Sequence, residues 1–266
     1  MISFPQSPRT KSLLKILLIM GGFALCALLA KLYLTHPTPF TQDPLLRSAM
    51  TRIKAINSYR QTVDTDIQFP TRKLRIIGTY DVDNAQQRYA SLSTTTLFSG
   101  ARSKGADFTL ANISIGPDIY TRIETNSPEL KRTIPATTTW QHFTKGSIPL
   151  LYTGIAIAGP VLDNLRIFEH DGAYLTLTSA PSAAYWGTEY LTRYSFAPAH
   201  VAPAASDGTL AALLSRISAT GTIDVWIDSQ KTVRYLVFQN ENYHSTTTLT
   251  DYNTAFPIVS PIPTHE

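Results

Sequence analysis

Hydrophobic and polar positions follow three periods along this chain, and each period marks a different kind of segment. From Leu13 to Leu34 apolar residues run together with only Lys15 and Lys31 among them, and Ile16 to Ala30 is uninterrupted. A bilayer crossing needs about 20 residues. Lysines at both ends can lay their stems along a helix and leave the ammonium groups at the interface, so residues 13–34 are predicted to cross the membrane. Arg9, Lys11 and Lys15 precede or open the run, which makes residues 1–12 a cytoplasmic tail and exports the chain beyond Leu34. A cleaved signal peptide shares these features, with weak small-residue sites at Ala24, Ala27 and Ala30. A lipoprotein would use Cys26, where Leu25 stands in place of the expected small residue.

Residues 35–42 contain Pro37 and Pro39 and read as a stiff linker. The period then becomes helical. Asp43 is placed to cap, Pro44 suits the first helical position, and Leu45, Leu46, Ala49, Met50, Ile53 and Ile56 form a stripe with Arg47, Arg52 and Lys54 largely opposite.

After Tyr59 the period is two. Leu74, Ile76, Gly78 and Tyr80 alternate with Arg75, Ile77, Thr79 and Asp81, Asp83 and Asn84 supply a turn, and Gln86 to Leu97 returns. Further strands are predicted over Asp107–Ile115, Ile119–Glu124 and Thr137–Phe143, with Gly116, Pro117 and Asp118 turning between the first two. Helices are expected at Ser147–Ile157, around Val161–Phe168 and at Thr209–Ala219, and strands at Ala173–Thr178 and Glu189–Phe196. Thr222–Ile227, Thr232–Phe238 and Tyr243–Tyr252 make a three-stranded meander. Within it Ile223, Val225 and Ile227 are expected on one face of their strand, and Val233, Tyr235 and Val237 on one face of theirs. The triplets Thr94–Thr96, Thr137–Thr139 and Thr246–Thr248 suit solvated strand positions. The fold class is therefore α+β, dominated by an antiparallel sheet over residues 43–266.

Composition agrees, with 43% hydrophobic residues, 13 tyrosines, 11 phenylalanines and only 16% charged residues in a chain of 266. The net charge of +4 invites a nucleic-acid partner, but its distribution argues against one. Arg9, Lys11, Lys15 and Lys31 carry the whole excess, residues 1–35 hold no acid, and the exported part is formally neutral. The pairs Arg72/Lys73 and Lys131/Arg132 are too small for a phosphate-binding face. One cysteine excludes an intrachain disulfide and a cysteine-based metal site.

Candidate chemistry is sparse. His36, His142, His170, His200, His244 and His265 show no metal-ligand spacing and read as exposed loop residues. Glu169, His170 and Asp171 precede Gly172 and read as a turn. The sequence contains neither a nucleophile elbow nor a phosphate-binding glycine loop. Asp64/Asp66, Asp81/Asp83 and Asp224/Asp228 could serve as acid and base, but alternation puts both members of each pair on one face, expected to be solvent. No catalytic residue, metal or cofactor is expected. Asn112-Ile113-Ser114 matches a glycosylation acceptor.

The order of elements and the closing tract resemble the periplasmic lipoprotein-carrier superfamily of LolA, LolB and the mycobacterial LppX/LprG group. Val225, Trp226, Ile227, Asp228 and Arg234 match its near-terminal hairpin, Asp251, Tyr252, Asn253, Ile258 and Pro261 its closing segment, and the plan spans residues 43–263. The resemblance implies a strongly bent antiparallel sheet, an unclosed β-barrel with helices on its concave face, holding acyl chains and performing no chemistry. A covered sheet can pack solid or leave a cavity. A cavity would be lined by Leu74, Ile76, Phe108, Leu110, Ile155, Ile157, Val225, Ile227 and Val237. The expected function is binding of a lipid or other hydrophobic ligand at the cell envelope by a membrane-anchored, extracytoplasmic domain. The alternative is an envelope protein-interaction or sensory module of the same fold.

Overall fold

The computed structural model describes residues 43–99, 106–133, 137–144, 175–198 and 221–262. The predicted membrane segment lies outside these residues, as do the helices expected at Ser147–Ile157, Val161–Phe168 and Thr209–Ala219. Among the described residues no helix is long and apolar enough to cross a membrane.

Helix α1 (Pro44–Lys54) forms as its sequence dictates. The Asp43 carboxylate accepts the Leu46 amide at 2.9 Å, Pro44 opens the first turn, and Leu46, Ala49, Met50 and Ile53 are buried along one stripe. The strands are β1 (Ser58–Gln68), β2 (Arg72–Asp83), β3 (Arg88–Ser99), β4 (Ala106–Ile115), β5 (Asp118–Thr125), β6 (Thr137–Thr144), β7 (Leu175–Leu177), β8 (Ser182–Trp186), β9 (Glu189–Pro198), β10 (Thr222–Ile227), β11 (Val233–Gln239) and β12 (Tyr243–Thr250). A six-residue helix α2 (Pro128–Thr133) follows β5. Neither α2 nor β8 stands out in the hydrophobic pattern. The first is too short for a helical period, and the second is an alanine-rich stretch between Pro181 and Gly187.

These strands form one antiparallel sheet in the order β6-β5-β4-β3-β2-β1-β12-β11-β10-β9-β7, with β8 pairing the same edge of β9 as β7. Among the described residues no pairing joins β6 to β7 or β8, so the sheet is unclosed. Its centre is the pairing of β1 with β12, which places Gln61 between Tyr80 on β2 and Leu249 on β12. After β12, Asp251 and Asn253 adopt positive φ, Asn253 accepts the Asn57 amide at 2.9 Å, and its own amide donates to the Ser58 carbonyl at 2.8 Å. The closing segment is thereby tied to the start of β1. Tyr252 donates its hydroxyl to the Val233 carbonyl.

The stripe of α1 packs on one face of the sheet, here the covered face, among Tyr59, Val82, Tyr194, Phe196, Ile223, Val225, Ile227, Val233, Leu236, Phe238 and Leu249. The Tyr194 hydroxyl reaches the capping Asp43 carboxylate at 2.7 Å, which fixes the start of the helix to β9. One expected face assignment fails. Val233 lies on the covered face, whereas Tyr235 and Val237 lie on the far face. The register shifts between Trp226 and Ile227, so that Trp226 opposes Tyr235 and Ile227 opposes Val233, and Arg234 is the extra residue that changes the phase.

Gly78 on β2 meets a specific packing demand. A Cβ there would lie 2.9 Å from Tyr80 Cε2 and 3.0 Å from Ser93 Cβ, because the Tyr80 ring folds back over the glycine. Gly78→Ala is expected to destabilise the domain by about 1–3 kcal/mol, read as a lower urea midpoint with an unchanged slope.

Candidate functional site

The covered face divides into two regions of different texture. Over β9, β10 and β11 it carries large apolar side chains closed by α1, and Phe196, Val225, Ile227 and Leu236 are fully buried there. Over β2 to β5 the face changes. The residues of β3 that share it are Tyr89, Ser91, Ser93, Thr95 and Leu97, paired with Val82, Tyr80, Gly78, Ile76 and Leu74 of β2. Three successive positions of β3 thus offer only hydroxyl side chains, and Ser93 faces a glycine.

This small-residue row has a mixed border. On β4, Ser93 opposes Leu110, Thr95 opposes Phe108 and Ser91 opposes Asn112. On β5, Ile123 opposes Leu110, while Thr121 opposes Asn112 and donates to its side-chain oxygen at 2.9 Å. Across β1, the Thr65 and Ser245 hydroxyls are 2.7 Å apart. Gln61, Thr65, Ser91, Ser93, Thr95, Thr121, Ser245 and Thr247 are all buried. The region is therefore shielded from solvent, and the Tyr80 ring, folded over Gly78, covers one part of its floor. It combines apolar walls at Leu74, Ile76, Phe108, Leu110 and Ile123 with a floor of hydroxyls. Burial pushes the Tyr80 hydroxyl up to about 12, with the neighbouring Tyr243 adding to the shift, and raises Tyr89 well above the ordinary phenol range. Both tyrosines stay neutral under ordinary conditions.

Of the residues expected to line a cavity, Leu74, Ile76, Phe108 and Leu110 share the covered face of β2 and β4. Val225 and Ile227 share that face but sit in the packed core that also holds the α1 stripe. Val237 faces the opposite way, for the reason the register shift gives. Ile155 and Ile157 lie outside the described residues. The hydroxyl floor was missed because the threonine triplets read as solvated, yet the middle members Thr95 and Thr247 are buried while Thr94 is exposed. The glycosylation triplet also falls here, with Asn112 on the covered face bonded to Thr121.

The far face holds a second apolar group. Trp186 stacks on Tyr235 with ring centroids 4.8 Å apart and meets Trp226 edge-on at 5.0 Å, with Leu191 and Val237 beside them. Asp224, expected in solvent, is 4% exposed there, held by Arg193 at 2.7 Å and the Ser195 hydroxyl at 2.6 Å. Burial on both faces explains why β10 carries Val225, Trp226 and Ile227 in succession.

Of the other paired acids, Asp83, expected in solvent, is buried and accepts the Gln86 amide, Asp228 accepts the Thr232 amide, and three are held by bases on the far face. Asp64 pairs with Arg75 at 2.8 Å, Asp66 with Lys73 at 3.2 Å and Asp81 with Arg60 at 2.6 Å. His142 and His244 lie on strands rather than in loops, and His142 stacks on Tyr120 and reaches Asp118 at 2.8 Å. Among the described residues no three metal-ligating side chains converge.

No protein-family model matches the chain, and no curated protein matches it. Among solved structures it is similar to LprF from Mycobacterium bovis, with 11% sequence identity over 82% of this chain and 96% of that one and a TM-score of 0.43. It is similar to lipoprotein LppX from Mycobacterium tuberculosis, with 13% identity over 81% and 96% of the two chains and a TM-score of 0.41. A beta-barrel-like protein from Brucella abortus matches at 8% identity over 76% and 99%, with a TM-score of 0.29.

Proposed function

We propose that residues 43–266 form an extracytoplasmic domain, held at the membrane by residues 13–34, that takes a lipid or other hydrophobic ligand between the covered face of the sheet and whatever lies over it. The sheet is then a half-barrel, and the ligand occupies the region over β2 to β5. The observation that carries this reading is the row Ser91, Ser93 and Thr95, with Ser93 facing Gly78, buried yet built from small hydroxyl side chains. A sheet meant only to pack would place large apolar residues there, as β9 to β11 do beneath α1. Apolar walls supply the driving force for an acyl chain, at about 25 cal/mol per Å² buried, and the hydroxyls suit oxygenated parts of the ligand. No catalytic residue enters this proposal.

The test is titration of a fluorescent fatty acid into residues 36–266 purified without detergent. Saturable uptake with one site per chain is expected; fluorescence that never exceeds that of the probe with an unrelated protein would contradict the reading.

A second reading, an envelope protein-interaction module, draws support from the far face. Ile77 and Leu92 are 47% and 55% exposed there, at diagonal positions flanked by exposed Thr62, Thr79 and Thr94. Under that reading Ile77→Asp with Leu92→Asp would abolish partner binding and leave probe uptake intact.

A further inference from the structure

A depression of about 700 Å³ lies against the solvent face of α1, lined by Arg47, Ser48, Thr51, Arg52 and Lys231 with no carboxylate among its walls. Its cations come from two elements held in register. Arg52 donates from Nη1 to the Gln230 carbonyl at 2.7 Å, tying the β10–β11 turn to the helix. That turn is itself fixed, because Asp228 accepts the Thr232 amide at 2.8 Å and Lys231 takes a positive φ of 62°. The nearest acids in sequence are already engaged, Asp43 with Leu46 and Tyr194 and Asp228 with Thr232. Three cations and two hydroxyls thus face solvent in a formally neutral domain.

Chain length gives this surface an occupant. Nine residues separate Leu34, the end of the predicted membrane segment, from Pro44 at the start of α1. Fully extended they reach about 30 Å, which tethers the start of α1 within that distance of the end of the predicted membrane segment. We propose that the basic face of α1 docks on anionic phospholipid headgroups of the membrane that the chain's own N-terminal segment enters, with Arg47, Arg52 and Lys231 meeting the phosphates. The inference rests on the anchored reading above and sets the orientation of the domain on its membrane.

The full chain tests it, carrying Cys26→Ser and Ala55→Cys with a spin label on the new thiol. Flotation with vesicles of phosphatidylcholine alone reads the anchor, and exposure of the label to a water-soluble relaxation agent reads the docking. The label is expected to be shielded in vesicles rich in phosphatidylglycerol and open in phosphatidylcholine. Shielding should vanish at about 1 M salt, where screening acts within about 3 Å. Arg47→Glu with Lys231→Glu leaves the Arg52 hydrogen bond in place, and each lost cation should weaken the attraction about fivefold. Equal exposure in both vesicles, shielding that survives the double substitution, or shielding produced as well by inorganic phosphate alone would overturn the docking. Failure to float with phosphatidylcholine would instead remove the anchor, and the label in phosphatidylglycerol vesicles still reads the surface.

Discussion

Tryptophan at Ser93 is expected to abolish uptake of an acyl probe while the domain stays folded, whereas tryptophan at Val225 is expected to cost about 3 kcal/mol or more of stability. The two positions share a face and differ in what surrounds them. Ser93 lies between Gly78 and Leu110 in a row of hydroxyl side chains, so an indole there projects into the space assigned to the ligand. Val225 is flanked by Tyr194 and Leu236 in the cluster that also holds the α1 stripe, and it is fully buried. An indole there must displace the helix or its neighbours. Urea midpoints and probe titrations on both variants check the pair, with Ser93→Leu as a smaller step. Undiminished uptake by folded Ser93→Trp would place the ligand elsewhere.

Alkaline pH is expected to unfold the domain steeply. Tyr80, Tyr89 and Tyr252 are held above the ordinary phenol range chiefly by burial, and Tyr194 by burial and then by its hydrogen bond to Asp43. In the unfolded chain these hydroxyls ionise near about pH 10. Tyr80 in the folded chain keeps its proton to about 12. The native form therefore binds more protons than the unfolded one inside that window. The stability these groups contribute is complete below about pH 10 and is lost as pH rises through the window. Each contributes a slope that approaches about 1.4 kcal/mol per pH unit once the unfolded phenol is ionised, so Tyr80, Tyr89 and Tyr252 together remove about 3 kcal/mol between about pH 10 and 11. Against a typical total of about 5–15 kcal/mol, unfolding is expected within roughly two units above pH 10, accompanied by the rise in phenolate absorbance. A urea midpoint that stays constant through about pH 11 would show that these tyrosines are not desolvated.

The sequence makes some parts of this fold plain and conceals others for physical reasons. Helix α1 is legible because its cap, its N1 proline and its stripe all agree. The β4–β5 hairpin is legible because Gly116 supplies the positive φ that its two-residue turn requires. The terminal meander is legible through alternation. The central pairing of β1 with β12 is hidden because the buried positions of β1 include Gln61 and Thr65, which no hydrophobic pattern marks as interior. The bulge at Trp226 and Ile227 is invisible to a period of two, and with it went the placement of Val237.

The candidate site was half legible for the same reason. Leu74, Ile76, Phe108 and Leu110 announce an apolar wall through alternation, and strand pairing brings them onto one face. The floor of Ser91, Ser93 and Thr95 gives the region its character, yet small hydroxyl side chains carry the same signature on a buried face as on a wet one. Asp224 shows the converse, a carboxylate whose burial depends on Arg193 and Ser195, 31 and 29 residues away along the chain.

The space over β2 to β5 is proposed to hold a hydrophobic ligand. The most direct test is mass spectrometry of solvent extracts from residues 36–266, expressed with export and purified without detergent. A lipid is expected in stoichiometric amount in the wild-type extract and absent from the Ser93→Trp extract. Extracts free of lipid from folded wild-type protein that also takes up no fluorescent fatty acid would contradict the proposal.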